Sequence, residues 1–475
     1  MTTVLWFRRD LRLHDHPALT AALETGPVAP LFVIDPPLVH GRWASPNRTA
    51  FLLATLHELD AALRERGARL HIRLGNPTRE VPQFAREAGA QRVIVTRDYT
   101  PYSRRRDAAV ARALEALGIA FHTRRGLLVH EPEEIRNATG KPIAVFTPFY
   151  RVWQTLPLRP LHPSPAHIPG APGLDPGEIP TPASLGLPRP VDALPAAGET
   201  AARARLQRFL AGPVCTYAET RDRLDLPGTS RISQDLHLGL LSPVEVVTRA
   251  RTLGCDTAKF VAEVAWRDFY HHILWHHPRV LHEPFQAAFR SLPWRNAPAH
   301  FTAWATGQTG YPLVDAAMRE LAATGYLHNR ARMVVASFLA KDLLLDWRLG
   351  ETHFMRHLVD GDVANNDGGW QWAASVGTDA QPYFRIFNPV IQSKKFDPEG
   401  AYIRRWVPEL RRVPESYLHE PWTMPPSAQE AAHCVIGHDY PPPIVDHTLA
   451  RQQAITTYER ARRASASEPP TQADR

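Results

Sequence analysis

Two acids stand two residues apart, Asp360 and Asp362, and Asn365, Asn366, Gly368, Gly369, Trp370 and Trp372 follow within thirteen residues. Carboxylates and amides suit a polar, planar ligand, and glycine lets backbone come close to it. Indoles add a stacking surface or a place for an electron to rest, although a buried tryptophan often does no more than pack. On residue types alone the stretch reads as a loop that presents polar groups, followed by a core helix. Glu263, Trp266, Arg267 and Tyr270 recur at three-to-four spacing inside a helical pattern over 257–277, which puts them on one face. Asn329, Arg332 and Met333 repeat that spacing in a pattern that continues over 328–347. Residues 228–233, Gly-Thr-Ser-Arg-Ile-Ser, form a hydroxyl-rich turn opening a helix, where free N–H groups and hydroxyls either bind an anion or simply cap. Four histidines (His271, His272, His276, His277) cluster but point around their helix, so they do not read as metal ligands.

These residues need elements to hold them. Short apolar runs at 4–7, 30–34, 70–74, 92–96 and 120–123 alternate with helical patterns at 50–66, 77–88 and 103–117. Alternation of this kind predicts an α/β unit over 1–130 with a parallel sheet covered on both faces. No GxGxxG follows the first run, which disfavours a dinucleotide of the NAD type. Residues 157–195 carry 12 prolines, a semi-rigid connector within a linker taken as 131–200. From 201 to 463 the pattern is helical throughout, and 464–475 reads as a disordered tail. Nine of the 12 tryptophans fall between Trp266 and Trp422, so the aromatic load belongs to the helical part.

With 475 residues and 44% apolar composition the chain can bury sizeable cores. Its formal charge is +7 and its pI about 9.4, a balance that suits a polyanionic partner. Cys215, Cys255 and Cys434 are odd in number and far apart, which argues against a disulfide framework and for a reducing cytosol. No apolar run reaches the length of a membrane span, and Arg8, Arg9 and Asp10 interrupt the N-terminus too soon for a signal peptide.

Six blocks, in order, carry a resemblance: Val4–Arg12 (VLWFRRDLR), Gly228–Ser233 (GTSRIS), Glu263–Tyr270 (EVAWRDFY), Gly310–Met318 (GYPLVDAAM), His328–Met333 (HNRARM) and Asp360–Trp372. On these the chain resembles the photolyase/cryptochrome family, and within it the class I cyclobutane pyrimidine dimer photolyases. The resemblance implies an N-terminal α/β antenna domain (1–130) and an all-helical domain (201–463) that holds FAD and DNA. It implies light-driven repair of dimers in UV-damaged DNA: excited, reduced FAD donates an electron to a flipped dimer and recovers it. Photolyases are among the enzymes that take their target base out of the stack, so the lesion is expected to leave the duplex to be reached. A soluble, cytoplasmic monomer is expected.

The resemblance also assigns roles. Tyr217, Thr229, Ser230, Arg231, Ile232, Ser233, Arg267, Arg332, Asp360, Asp362 and Asn366 match FAD contacts, with Asn366 facing the flavin N5 edge. Trp370, Trp347 and Trp294 match a chain that carries electrons from the surface. Glu263, Trp266, Asn329, Met333 and Trp372 match the lesion pocket, while Arg221, Arg330, Arg385 and Gln392 match contacts to DNA. A (6-4) photolyase would carry histidines where Asn329 and Met333 stand, so cyclobutane dimers are the expected substrate; the rival is a cryptochrome that senses light and repairs nothing. For a second, antenna chromophore, the Asn-Glu pair of folate-type members is missing from 96–104. A deazaflavin or flavin type then fits better, with Arg48 and Asp98 as candidate contacts, although His237 replaces a lysine used by some deazaflavin members.

Overall fold

The computed structural model describes residues 1–467. Five strands, β1 (Thr2–Phe7), β2 (Val28–Ile34), β3 (His71–Leu74), β4 (Ala90–Thr96) and β5 (Ala120–Arg124), form one sheet in the order β3-β2-β1-β4-β5. Every pairing is parallel, as strand–helix alternation requires. Successive side chains of a strand leave on opposite faces. Val4 and Trp6 therefore join the core under the Pro77–Glu87 and Pro101–Glu115 helices, whereas Leu5 and Phe7 join a second core that runs on into the helical part of the chain. The two parts thus share apolar interior.

The chain leaves β1 toward β2 and β3, then crosses back to β4 on its other side. The reversal opens a crevice beyond the carboxyl ends of β1 and β4, the place where such sheets usually receive ligands. Arg8, Arg9, Asp10 and Asp98 occupy it and all but Arg9 are nearly fully buried.

Several sequence expectations change here. The 360–372 stretch is not a loop: Asp362 caps a helix, Val363–Ala373, that carries both asparagines, both glycines and both tryptophans. Its glycines serve close packing, since a Cβ on Gly368 would run into the Tyr270 ring. The pattern over 328–347 is also broken. The Asn329–Ser337 helix passes into a π-helical turn, Phe338–Asp342, and after Leu344 at φ 51° a new helix, Trp347–His357, starts from an Asp346 cap. A short helix, Phe146–Trp153, interrupts the 131–200 segment. Cys215 and Cys255 are joined in a disulfide with Cα atoms 5.6 Å apart, because the fold brings the loop before residue 258 back beside the turn at 213–216; the expectation of no disulfide is overturned for this pair, and Cys434 is free and buried. The last helix, His447–Ser467, takes in residues 464–467 of the expected disordered tail, and 468–475 lie outside the described residues. No described helix is long and apolar enough to cross a membrane.

Candidate active site

The helices Ala258–His276, Asn329–Ser337 and Val363–Ala373 enclose a cavity of about 440 Å³. Glu263, Trp266, Arg267 and Tyr270 line it from the first helix, Asn329, Arg332 and Met333 from the second, and Asp360, Asp362, Asn366, Trp370 and Trp372 from the third and its approach. Helical spacing in the sequence translates directly into this shared lining.

The deep end is polar and ordered. Arg332 donates from Nη2 to Asp360 Oδ2 at 2.8 Å and from Nε to the Leu327 carbonyl at 2.8 Å. Asp360 Oδ1 is buried with no partner in the protein, an acceptor that needs a donor from elsewhere. The Asn366 amide nitrogen donates to the Glu351 carbonyl at 3.1 Å and its carboxylate at 3.2 Å, which fixes which way the amide points. Asp362 accepts from the Asn365 backbone at 3.0 Å as helix cap and pairs with Arg9 from the far side of the sheet crevice. Burial opposes its ionisation, but His271 and Arg9 hold its carboxyl well below the usual range. Burial also takes the His237 and His271 imidazoles down to about 4; both are neutral near pH 7, so Arg9 is the permanent counter-charge. Asp362 is therefore an inter-domain anchor as well as a wall of the cavity.

The mouth carries acids paired with bases. Glu263 is paired with Arg221 and lies 3.4 Å from Lys259. Arg330 binds Asp222 at 2.8 Å and lies over Phe396. Arg221 and Arg330, expected on the DNA backbone, thus have their guanidinium groups engaged by acids. Arg385 is exposed and Gln392 half-buried, neither on the cavity wall. Of residues 229–233 only Ser233 lines the cavity; Ile232 is core, and Arg231 lies over Tyr326. The helix that follows takes Ile232 as its cap residue with no side-chain capping bond, so capping does not explain Thr229 and Ser230. Tyr217 packs edge-on against Phe209 and Phe260.

Trp370 and Trp347 are buried and Trp294 half-buried, all in one core cluster. A Cβ on Gly350 would run into the tip of the Trp370 ring, which sets that ring against the helix that Trp347 begins. Arg295 N–H donates to the Leu344 carbonyl at 2.8 Å, so the backbone at Trp294 runs beside the approach to Trp347. Trp370 also meets Trp304 edge-on at 6.0 Å.

Residues 3–169 match the DNA photolyase domain and residues 260–460 the FAD binding domain of DNA photolyase. A protein of Halobacterium salinarum named deoxyribodipyrimidine photo-lyase is 41% identical over 97% of this chain and 99% of its own. One of that name from Synechococcus is 39% identical over 99% of each. The chain belongs to the DNA photolyase family. Solved structures agree: a class III photolyase from Agrobacterium tumefaciens superimposes with TM-score 0.92 at 36% identity, over 97% of this chain and 98% of that one. A Synechocystis cryptochrome follows with 0.89 and 32%, over 96% and 99%, and a Sulfolobus tokodaii photolyase with two FAD molecules with 0.84 and 31%, over 97% and 100%.

The residues fit the FAD that this family binds. The Arg332–Asp360 pair leaves one buried acceptor open, and Gly369 on the cavity wall has open space where a Cβ would stand. The antenna candidates both have partners within the protein. Arg48 donates to the carbonyls of Met355 at 2.9 Å, Leu358 at 3.2 Å and Trp43, and Asp98 faces Arg9 at 3.7 Å. Arg48 ties the α/β part to the photolyase helices directly, and Asp98 does so only through Arg9, which pairs with Asp362. Sequence reasoning did not single out Arg9 or Glu351. The Arg-Arg-Asp run directly after an apolar strand signals buried charge at a sheet end, whereas nothing in the sequence sets Glu351 apart from a surface acid.

Proposed function

We propose that this chain repairs cyclobutane pyrimidine dimers in DNA, using light and FAD. One observation carries the reading: a single cavity is lined both by the Arg332, Asp360 and Asn366 set that suits a flavin and by the Glu263, Trp266, Asn329, Met333 and Trp372 set that suits a flipped dimer. When bound and reduced, FAD supplies an electron on excitation and takes it back once the two cyclobutane bonds have opened, with no net redox change.

The chain's own residues do the rest. Arg332 and Asp360 hold and orient the flavin, and the uncharged Asn366 amide, turned by Glu351, places no like charge beside an anionic ring. Trp266 and Trp372 stack on the extruded pyrimidines, as aromatic faces do for any base. Glu263 and Asn329 hydrogen-bond the exposed edges, and Arg221 releases part of its hold on Glu263 as it does so. Trp370, Trp347 and Trp294 return electrons from the surface to an oxidised cofactor. Tyr217 and residues 229–233 serve the adenosine and phosphate end, where Arg267 supports the wall. Arg385 and Gln392, with Arg330, meet the DNA strand; phosphate contacts give affinity and the pocket gives specificity.

The domain division at 130 and 200, a monomeric state and a cytosolic location belong to the same reading. A second chromophore of flavin type is supported by the two FAD molecules in the Sulfolobus relative. The alternative, a cryptochrome without repair activity, draws on the likeness to the Synechocystis structure. The deciding experiment is a thymine-dimer oligonucleotide incubated with reduced, FAD-loaded protein under blue or near-UV light, with a dark control. Light-dependent loss of the dimer is expected, and none from fully reduced protein would leave the cryptochrome.

A further inference from the structure

Trp266 has two faces, and only one is open to the cavity. The Phe146 ring lies against the other with centroids 3.7 Å apart and planes 9° from parallel. Phe269 meets the indole edge-on at 5.4 Å and Tyr270 lies tilted at 5.5 Å. The indole is therefore held in rotation as well as in place.

Phe146 does not come from the helices that make the cavity. It opens the short Phe146–Trp153 helix of the connecting segment, and that helix is fixed at both ends. At the front, the Phe146 N–H donates to Asp379 Oδ2 at 3.1 Å, and Thr378 donates its hydroxyl to the Ala144 carbonyl. At the back, Trp153 Nε1 donates at 3.0 Å to Asp268, two residues beyond Trp266 on the same helix. Between them Phe146, Tyr150 and Trp153 form a ladder of near-parallel rings at 5.6 and 5.9 Å. The connecting segment is thus clamped against the lesion helix, and its leading ring is the one that reaches Trp266.

We propose that Phe146 is a positioning residue for dimer recognition: it backs Trp266 so that one flat indole face is presented, already ordered, to the extruded pyrimidines. The inference rests on the lesion-pocket reading of Trp266. An indole that must be ordered on binding spends part of the stacking energy on its own rotamer freedom. An indole ordered beforehand does not, and the difference falls on damaged DNA alone, because only an extruded dimer reaches Trp266. Undamaged duplex is held through its phosphates.

The test compares FAD-loaded wild type with Phe146→Ala, Phe146→Leu, Phe146→Tyr and Trp266→Ala. Affinities for a thymine-dimer oligonucleotide and for its undamaged copy are measured in parallel, together with bound flavin and the rate of flavin photoreduction. Phe146→Ala is expected to lower the damaged-to-undamaged affinity ratio about five- to tenfold, on the scale of one aromatic stack. Flavin content and photoreduction stay at the wild-type level, and repair at saturating DNA stays within about twofold. Phe146→Leu keeps apolar bulk and the fold without a flat ring, and still loses about threefold or more; Phe146→Tyr restores the ratio. If Phe146→Leu discriminates as well as wild type while Trp266→Ala does not, the inference is wrong and the lesion reading stands. If Trp266→Ala itself discriminates like wild type, the lesion reading fails and takes this inference with it.

Discussion

Glu263 lines the cavity at its mouth, and its charge is already matched by Arg221 and Lys259. Its replacement by alanine removes a charged hydrogen-bonding group where the dimer arrives. Such bonds are each worth roughly 1.5–3 kcal/mol, and part of that is regained by Arg221 turning to the substrate. Repair per absorbed photon is expected to fall roughly fivefold, about 1 kcal/mol, with flavin content unchanged; an unchanged yield would deny Glu263 its electrostatic role. Trp294→Phe separates two uses of the same protein. Photoreduction of oxidised flavin should slow by at least about tenfold, while repair by chemically pre-reduced protein is retained, and loss of both would make Trp294 structural. Residues of this kind were legible in the sequence because a helix converts three-to-four spacing into one face, which put Glu263 with Trp266 and, separately, Asn329 with Arg332 and Met333; the family resemblance joined the two sets. Glu351 and Phe146 were not legible. Each acts across a fold contact, on Asn366 fifteen residues away and on Trp266 from the connecting segment, and local spacing holds no record of either.

Elements meet in this protein where side chains are missing. Gly350 accepts the tip of Trp370 and Gly368 accepts the ring of Tyr270, so the Val363–Ala373 helix lies close to both neighbours. Two effects compete in Gly350→Ala. Helix propensity favours alanine by about 1 kcal/mol, whereas forcing a methyl into an indole in a filled core costs about 1–3 kcal/mol and shifts backbone. The ring is buried and held edge-on by Trp304 and Phe354, so overpacking wins. A net loss of about 1–2 kcal/mol in urea unfolding is expected together with weaker flavin retention, and a more stable variant would show that the helices slide apart freely. Paired glycines suggested a loop in the sequence because they lower helix propensity; tertiary packing overrides that preference. The break between the Asn329–Ser337 and Trp347–His357 helices was hidden for the opposite reason. Residues 338–345 are largely apolar and regular in pattern, and only the positive φ of Leu344 ends the run.

The two parts of the molecule are joined by buried charge as well as by shared apolar core. Burial works against ionising Asp98, but Arg9, Arg8 and Arg106 bring its carboxyl down to about 2, and Asp362 is likewise held well below its ordinary value. A carboxyl lowered in the folded state contributes stability that is complete above its unfolded value near 4 and disappears as pH falls through the folded value. The neutral His237 and His271 act in the same direction at higher pH, because the unfolded chain takes up their protons between about 6.5 and 4 and the folded chain does not. Urea midpoints should therefore fall in two windows on acidification, first from about 6.5 to 4 and again from about 4 to 2. Asp98→Asn should flatten only the second, removing about 2 kcal/mol there; a variant that keeps the full acid slope would place the sensitivity elsewhere.

The Arg9–Asp362 pair spans 353 residues of chain, and this has a meaning during synthesis. The sheet is complete once β5 has left the ribosome, but Asp362 follows the end of β5 at Arg124 by 238 residues, roughly 10–50 s at ordinary elongation rates. Over that interval the crevice between β1 and β4 stands open to water, with its arginines hydrated and its floor charged. A nascent domain that showed apolar surface there would invite aggregation. The groups that would be orphaned inside the finished protein keep the unfinished one in solution until its second half arrives.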